Sequence, residues 1–110
     1  MLPKQHRVPR AIFSTVIRRG NGAHSAHFSL KTLTVDDSKP ARFSFVISKK
    51  VDKRAVKRNL MRRRLSAVIA ELLPSLPAGI VGIFFAKPRS QALAFKDIEE
   101  EIRFLVKKLN

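Results

Sequence analysis

The sequence predicts an α+β fold, an α/β sandwich in which helices pack on a mixed sheet. Three observations point there. Two stretches alternate apolar and polar residues at the two-residue period of a strand, one stretch is continuously apolar, and three others carry apolar stripes at helical spacing. Their order is helix, strands, helix, strand, helix. At 110 residues, residues 1–110 read as a single folding unit with one core.

In "VPRAIFSTVIRRG", Pro9 stands near a helix start, Ile12, Phe13, Val16 and Ile17 share one face, and Gly20 supplies a stop. "NGAHSAH" reads as a polar turn. Residues 28 to 35, "FSLKTLTV", alternate Phe28 and Leu30 with Ser29 and Lys31, and residues 42 to 48 place Phe43, Phe45 and Ile47 on one face. "DDSKP" between them has the chemistry of a turn, so the two strands are expected to pair antiparallel. A third strand in this half has no clear position.

Asp52 is the expected N-cap of a long helix ending near Leu73, before the prolines of "PSLPAG". "IVGIFFA", residues 80 to 86, is apolar throughout, as in a strand covered on both faces. In "FKDIEEEIRFLVKKL", Ile98, Ile102, Leu105, Val106 and Leu109 form one helical stripe, with acids early and lysines late, as the helix dipole favours.

A hydrophobic fraction of 45% sets the chain apart from disordered proteins. The absence of cysteine excludes disulfides and thiolate metal sites. "MLPKQHRVPRAIF" lacks the apolar core of a signal peptide, so the chain reads as soluble and cytoplasmic. Charge is the unusual property: 23 Lys and Arg against 8 Asp and Glu leave a net +15. Solubility needs a net charge of only about 2 to 8, so a polyanionic partner is implied, nucleic acid before membrane.

That charge is concentrated in one place. From Lys49 to Arg64, nine of sixteen residues are Lys or Arg, and only Asp52 opposes them. On a wheel of about 100° per residue, Met61, Leu65, Val68, Ile69 and Leu72 form a core stripe whose N-terminal continuation brings up Arg54 and Arg58. Lys57, Arg62, Arg63 and Arg64 surround the other sides. An unpaired buried guanidinium costs several kcal/mol, so the first turns must overhang the core or face an anion. Cations at the positive end of a helix dipole are also unfavourable unless compensated, and phosphates compensate by pairing with the side chains and accepting from free backbone N–H groups.

These residues resemble the protein subunit of bacterial ribonuclease P. That family has two lysines after a strand, then a basic helix with an Arg-Asn-Arg core and a following Lys/Arg pair. Here "SKK" stands at 48 to 50, "RNL" at 58 to 60, and Arg62 and Arg63 follow. "HRVPRAIFSTVIRRG" and "FFAKP" resemble the family's flanking patterns. Leu60 replaces the second Arg of the core, and Lys87 replaces an Arg, keeping the charge without the bidentate geometry.

The resemblance implies the order αβββαβα, with a left-handed crossover through the basic helix, against the usual right-handed rule. This superfold is shared with domain IV of elongation factor G. It also implies a partnership with a catalytic RNA that removes the 5′ leader of precursor tRNA by phosphodiester hydrolysis. Mg2+ is then expected at the RNA subunit, with none bound by the protein alone and no protein partner required. By position, Lys49, Lys50, Lys53, Arg54, Lys57, Arg58, Asn59, Arg62 and Arg63 are the expected RNA contacts, with Arg63 and Arg64 able to share the charge missing at Leu60. Phe13 and Ile17 match the leader cleft, with Lys87 beside them. Phe28, Phe43 and Phe45 alternate as strand residues do, and core is preferred to the leader cleft for each.

Nothing in the sequence supplies a protein catalyst of its own. Asp36 and Asp37 fall in a turn, Glu99, Glu100 and Glu101 on a solvent-facing arc, and Asp52 and Glu71 at opposite ends of the basic helix. His24 and His27 have the spacing of a weak metal pair, but with no Cys and no nearby acid to complete a site they read as a polar loop. The main alternative is a structural RNA-binding protein of ribosomal type. Peripheral membrane binding would want Trp or Phe along the helix, and it has neither.

Overall fold

The computed structural model describes residues 2–109. Seven principal elements follow in the order αβββαβα: α1 (Arg10–Arg19), β1 (Asn21–His24), β2 (Phe28–Thr34), β3 (Arg42–Val46), α2 (Ala55–Leu72), β4 (Ile80–Ala86) and α3 (Phe95–Lys107). Pro9 and Gly20 flank α1 as expected, and α2 ends at Leu72 with Leu73 as its C-cap.

The sheet order is β1-β2-β4-β3. β4 is antiparallel to β2 and parallel to β3, so the expected hairpin between β2 and β3 does not form. The continuous apolarity of β4 explains this. Ile80, Val81, Ile83 and Phe84 are all buried, a requirement met on an interior strand with neighbours at both edges. The loop after β2 crosses over the start of β4, where the Val35 N–H donates to the Gly79 carbonyl and the Gly79 N–H donates to Lys39. Gly79 has φ +83, and a Cβ there would lie 2.7 Å from the Asp37 Cα, so the crossing needs glycine.

"NGAH", expected to be turn, is the edge strand β1, paired antiparallel with β2. Most of it is exposed, so backbone pairing alone makes it a strand and no apolar alternation marks it. The Asp52 N-cap is also displaced: the cap position is Arg54, with no side-chain cap, and Asp52 accepts from the Arg54 N–H at 3.0 Å in a turn before the helix.

The two faces of the sheet carry separate cores. On one face Phe28, Leu30, Phe43 and Phe84 pack with Met61, Leu65, Val68 and Ile69 of α2 and Ile98, Ile102, Leu105 and Val106 of α3. On the other, Val81 and Ile83 pack with Val16 of α1, flanked by the half-buried Ile12, Phe13, Ile17 and Phe85. Phe43 and Phe45 both stack on Phe84, at 5.9 and 5.8 Å between ring centroids. Phe28 and Phe43 are thus core, and Phe45 is half-buried at the sheet edge.

Glu101 corrects the expectation of a solvent-facing acidic arc. It accepts from Ser25 Oγ at 2.6 Å and the His27 N–H at 2.9 Å, and its second oxygen meets His27 Nδ1 at 2.6 Å. The fold therefore brings an acid to His27 from 74 residues away. Burial raises the Glu101 pKa, but the bonds from Ser25 and His27 outweigh it and hold the carboxyl below its ordinary 4.5. Its stabilisation is therefore present above pH 4.5 and is lost as pH falls through the lowered folded value. Glu101→Gln is expected to lower the melting temperature at pH 7 and to flatten the acid limb below pH 4.5, read by melting across a pH series. An unchanged acid limb would refute this role.

Candidate nucleic-acid interface

The apolar stripe of α2 holds the helix to the sheet from Met61 onward. Its first turns and the preceding loop carry the cations beyond the core, over a helix N-terminus with no acidic residue in its first turn. Lys49, Lys50, Lys53, Lys57 and Arg63 are exposed and, among the described residues, make no ion pair.

The remaining cations have partners that orient them. Arg54 forms a fork on Asp52, Nε to Oδ1 at 3.1 Å and Nη2 to Oδ2 at 3.0 Å. This fork, with the Arg54 N–H, lowers the Asp52 pKa, and Asp52 in turn raises that of Arg54. Arg58 resolves the conflict of a cation on the core stripe: its Nη1 donates to the carbonyls of Asp52 and Lys53 at 3.0 and 2.9 Å. It ties the lysine-bearing loop to the helix while half-buried itself. Arg62 Nη1 donates to Asn59 Oδ1 at 2.7 Å, so Asn59 orients a neighbouring cation. Arg64 lies over the Phe95 ring at 5.9 Å.

Two basic grooves run along this end of the molecule. One, of about 540 Å³, is lined by Lys49, Lys50, Val51 and Lys53; the other, of about 160 Å³, by Lys57, Leu60, Met61 and Arg64. Asp52, Arg54 and Gln91 border both. Leu60 thus lines this basic groove rather than the deep core. Nothing in the sequence pattern singles out Gln91; only the path of the chain after β4 brings it here.

The residues expected at a leader cleft are not all gathered together. Phe13 borders a shallow groove with Val8, Arg10 and Ser14, half-buried on α1. Ile17 is half-buried one turn further along the same face. Lys87 borders neither basic groove nor the Phe13 groove; its Nζ donates to the Ser25 carbonyl at 2.8 Å, beside the Glu101 network. A separate apolar slot of about 230 Å³ lies along the β3 edge, lined by Leu2, Val8, Phe43 and Phe45 with Arg7 and Arg62 at its rim.

A cation-bearing helix over a four-stranded sheet has close counterparts among known proteins. The sequence model of the family described as Ribonuclease P matches residues 2–110. The ribonuclease P protein component of Microcystis aeruginosa is 38% identical over 113 residues, covering 99% of this chain and 94% of the relative. That of Clavibacter michiganensis is 39% identical over 103 residues, covering 93% and 90%. A Staphylococcus aureus RNase P protein mutant superimposes with a TM-score of 0.85 at 20% identity, covering 96% of this chain and 88% of that one. The Thermotoga maritima RNase P protein gives 0.83 at 16% identity, covering 94% and 97%. These two structures match in fold, and the sequence relatives carry the kinship over nearly the whole length: the chain belongs to the bacterial ribonuclease P protein family.

Proposed function

We propose that this chain is the protein subunit that binds ribonuclease P RNA through α2 and the loop before it, and that it guides the 5′ leader of precursor tRNA during its endonucleolytic removal. The observation that carries the reading is the set of uncommitted cations, Lys49, Lys50, Lys53, Lys57 and Arg63, held beyond the core by a helix whose later turns are anchored. A net +15 lowers the repulsion between catalytic RNA and substrate RNA, which otherwise falls to metal ions. Phe13 offers a partly exposed ring for stacking on a leader base, a contact of about 1 to 3 kcal/mol that tolerates any base.

The bond-breaking groups and Mg2+ are assigned to the RNA. Five of the eight acids support this by being committed elsewhere: Asp36 is turned onto Ser38, Asp52 onto Arg54, Glu71 and Glu99 onto Arg103, and Glu101 onto Ser25 and His27. Ribonuclease P RNA and precursor tRNA are the partners required, and the cytoplasm is where the reading locates them. Among the described residues no helix is long and apolar enough to cross a membrane.

Reconstitution tests the reading. Adding the protein to a bacterial ribonuclease P RNA and precursor tRNA at low magnesium is expected to stimulate leader removal, and protein freed of RNA is expected to cleave nothing. A protein that binds the RNA without stimulating cleavage would instead be a structural RNA-binding protein of ribosomal type.

A further inference from the structure

The two basic grooves meet at a junction whose chemistry differs from theirs. Asp52, Arg54 and Gln91 border both grooves. A carboxylate at this point repels phosphate and commits one guanidinium to itself, so phosphate binding alone gives no reason for it. What the pair does provide is a fixed plane. Arg54 is held through Nε, Nη2 and its own backbone N–H, with Asp52 sheltered to 8% side-chain exposure beneath a guanidinium whose side chain is 68% exposed. An immobilised, partly neutralised guanidinium plane is a stacking surface for a nucleobase.

Gln91 comes to the same junction on a constrained turn. Arg89 adopts φ +80, rare for a residue with a side chain. The turn is closed by the Ser90 N–H donating to Lys87 and the Leu93 N–H donating to Ser90, and Ser90 is buried with its Oγ 3.9 Å from Met61 Sδ. Gln91 itself is exposed, and among the described residues its amide makes no hydrogen bond. An amide both donates and accepts, which suits a base edge or a ribose 2′-hydroxyl better than a phosphate.

We propose that this junction is a subsite for one unpaired nucleotide of the RNA, its base stacked on the Arg54 plane, Gln91 hydrogen-bonded to its base edge or 2′-hydroxyl, and its flanking phosphates on Lys50 and Lys57. The subsite rests on the RNA-binding reading of this surface. It is tested by measuring the affinity of ribonuclease P RNA for the wild-type chain, Gln91→Ala and Asp52→Asn across a salt series, with melting curves to verify folding. Gln91→Ala is expected to weaken binding about threefold to tenfold at an unchanged salt slope, since no charge is removed. Asp52→Asn retains an oxygen for the Arg54 N–H and removes a negative charge from the basic surface, yet is expected to weaken binding severalfold because the plane is released. Tighter binding with a steeper slope in Asp52→Asn would show that the junction holds phosphate only, and wild-type affinity in Gln91→Ala would equally overturn the subsite. Failure of the wild-type chain to bind would overturn the RNA-binding reading itself.

Discussion

Replacing Lys49, Lys50 and Lys57 together by alanine is expected to cost about 10²- to 10³-fold in affinity for ribonuclease P RNA. All three are exposed and, among the described residues, free of any internal partner, so their charge is available to phosphate. The plot of log affinity against log salt should become shallower by about 2 to 3, since each neutralised phosphate contributes about 0.7 to 0.9. Stability should be nearly unchanged, because exposed lysines without partners contribute little to folding. Filter binding over a salt series together with thermal melting checks both halves. A parallel slope in the triple variant would show that the cationic end does not face the RNA. Arg58→Ala should behave differently, since its guanidinium bonds the carbonyls of Asp52 and Lys53 and its loss also loosens the loop bearing Lys49 and Lys50.

Gly82→Ala is expected to damage the fold strongly. A Cβ at this position would lie 2.4 Å from Phe43 Cε1 and 2.7 Å from Cδ1. Phe43 is 1% exposed and stacked on Phe84, so its ring has nowhere to move without disturbing the core. Overpacking of this kind costs about 1 to 3 kcal/mol, occasionally more, or roughly 5 to 15 °C of melting temperature. Phe43→Leu in the same chain should recover part of the loss, because the two side chains compete for one space. A single variant that melts with the wild type would show that the Phe43 ring yields freely. The effect reaches function through β3, whose end leads directly into the lysine loop.

Most of the helices, and the site they carry, were legible because their signals are local. Pro9 and Gly20 bracket α1 in sequence and in space. Met61, Leu65, Val68 and Ile69 recur at helical spacing and are all buried. The nine cations between Lys49 and Arg64 needed only the wheel to show that the first turns of α2 could not pack as the later ones do. Where neighbours come from distant segments, the sequence was silent or misleading. "NGAH" is a strand only because β2 lies beside it. Glu101 looked solvent-facing on its own helix, yet the β1–β2 turn brings Ser25 and His27 onto it.

The three helices, the strands β2, β3 and β4 and the basic end of α2 were thus legible in the amino-acid sequence alone, through periodicity and charge that act over a few residues. Tertiary structure alone decided that β4 separates β2 from β3, that Arg54 is bound to Asp52 while Lys57 remains open, and that Gln91 joins the cations. Strand partners, ion pairs and grooves are made by segments far apart in the chain, and the choice among them is settled by how the whole core packs.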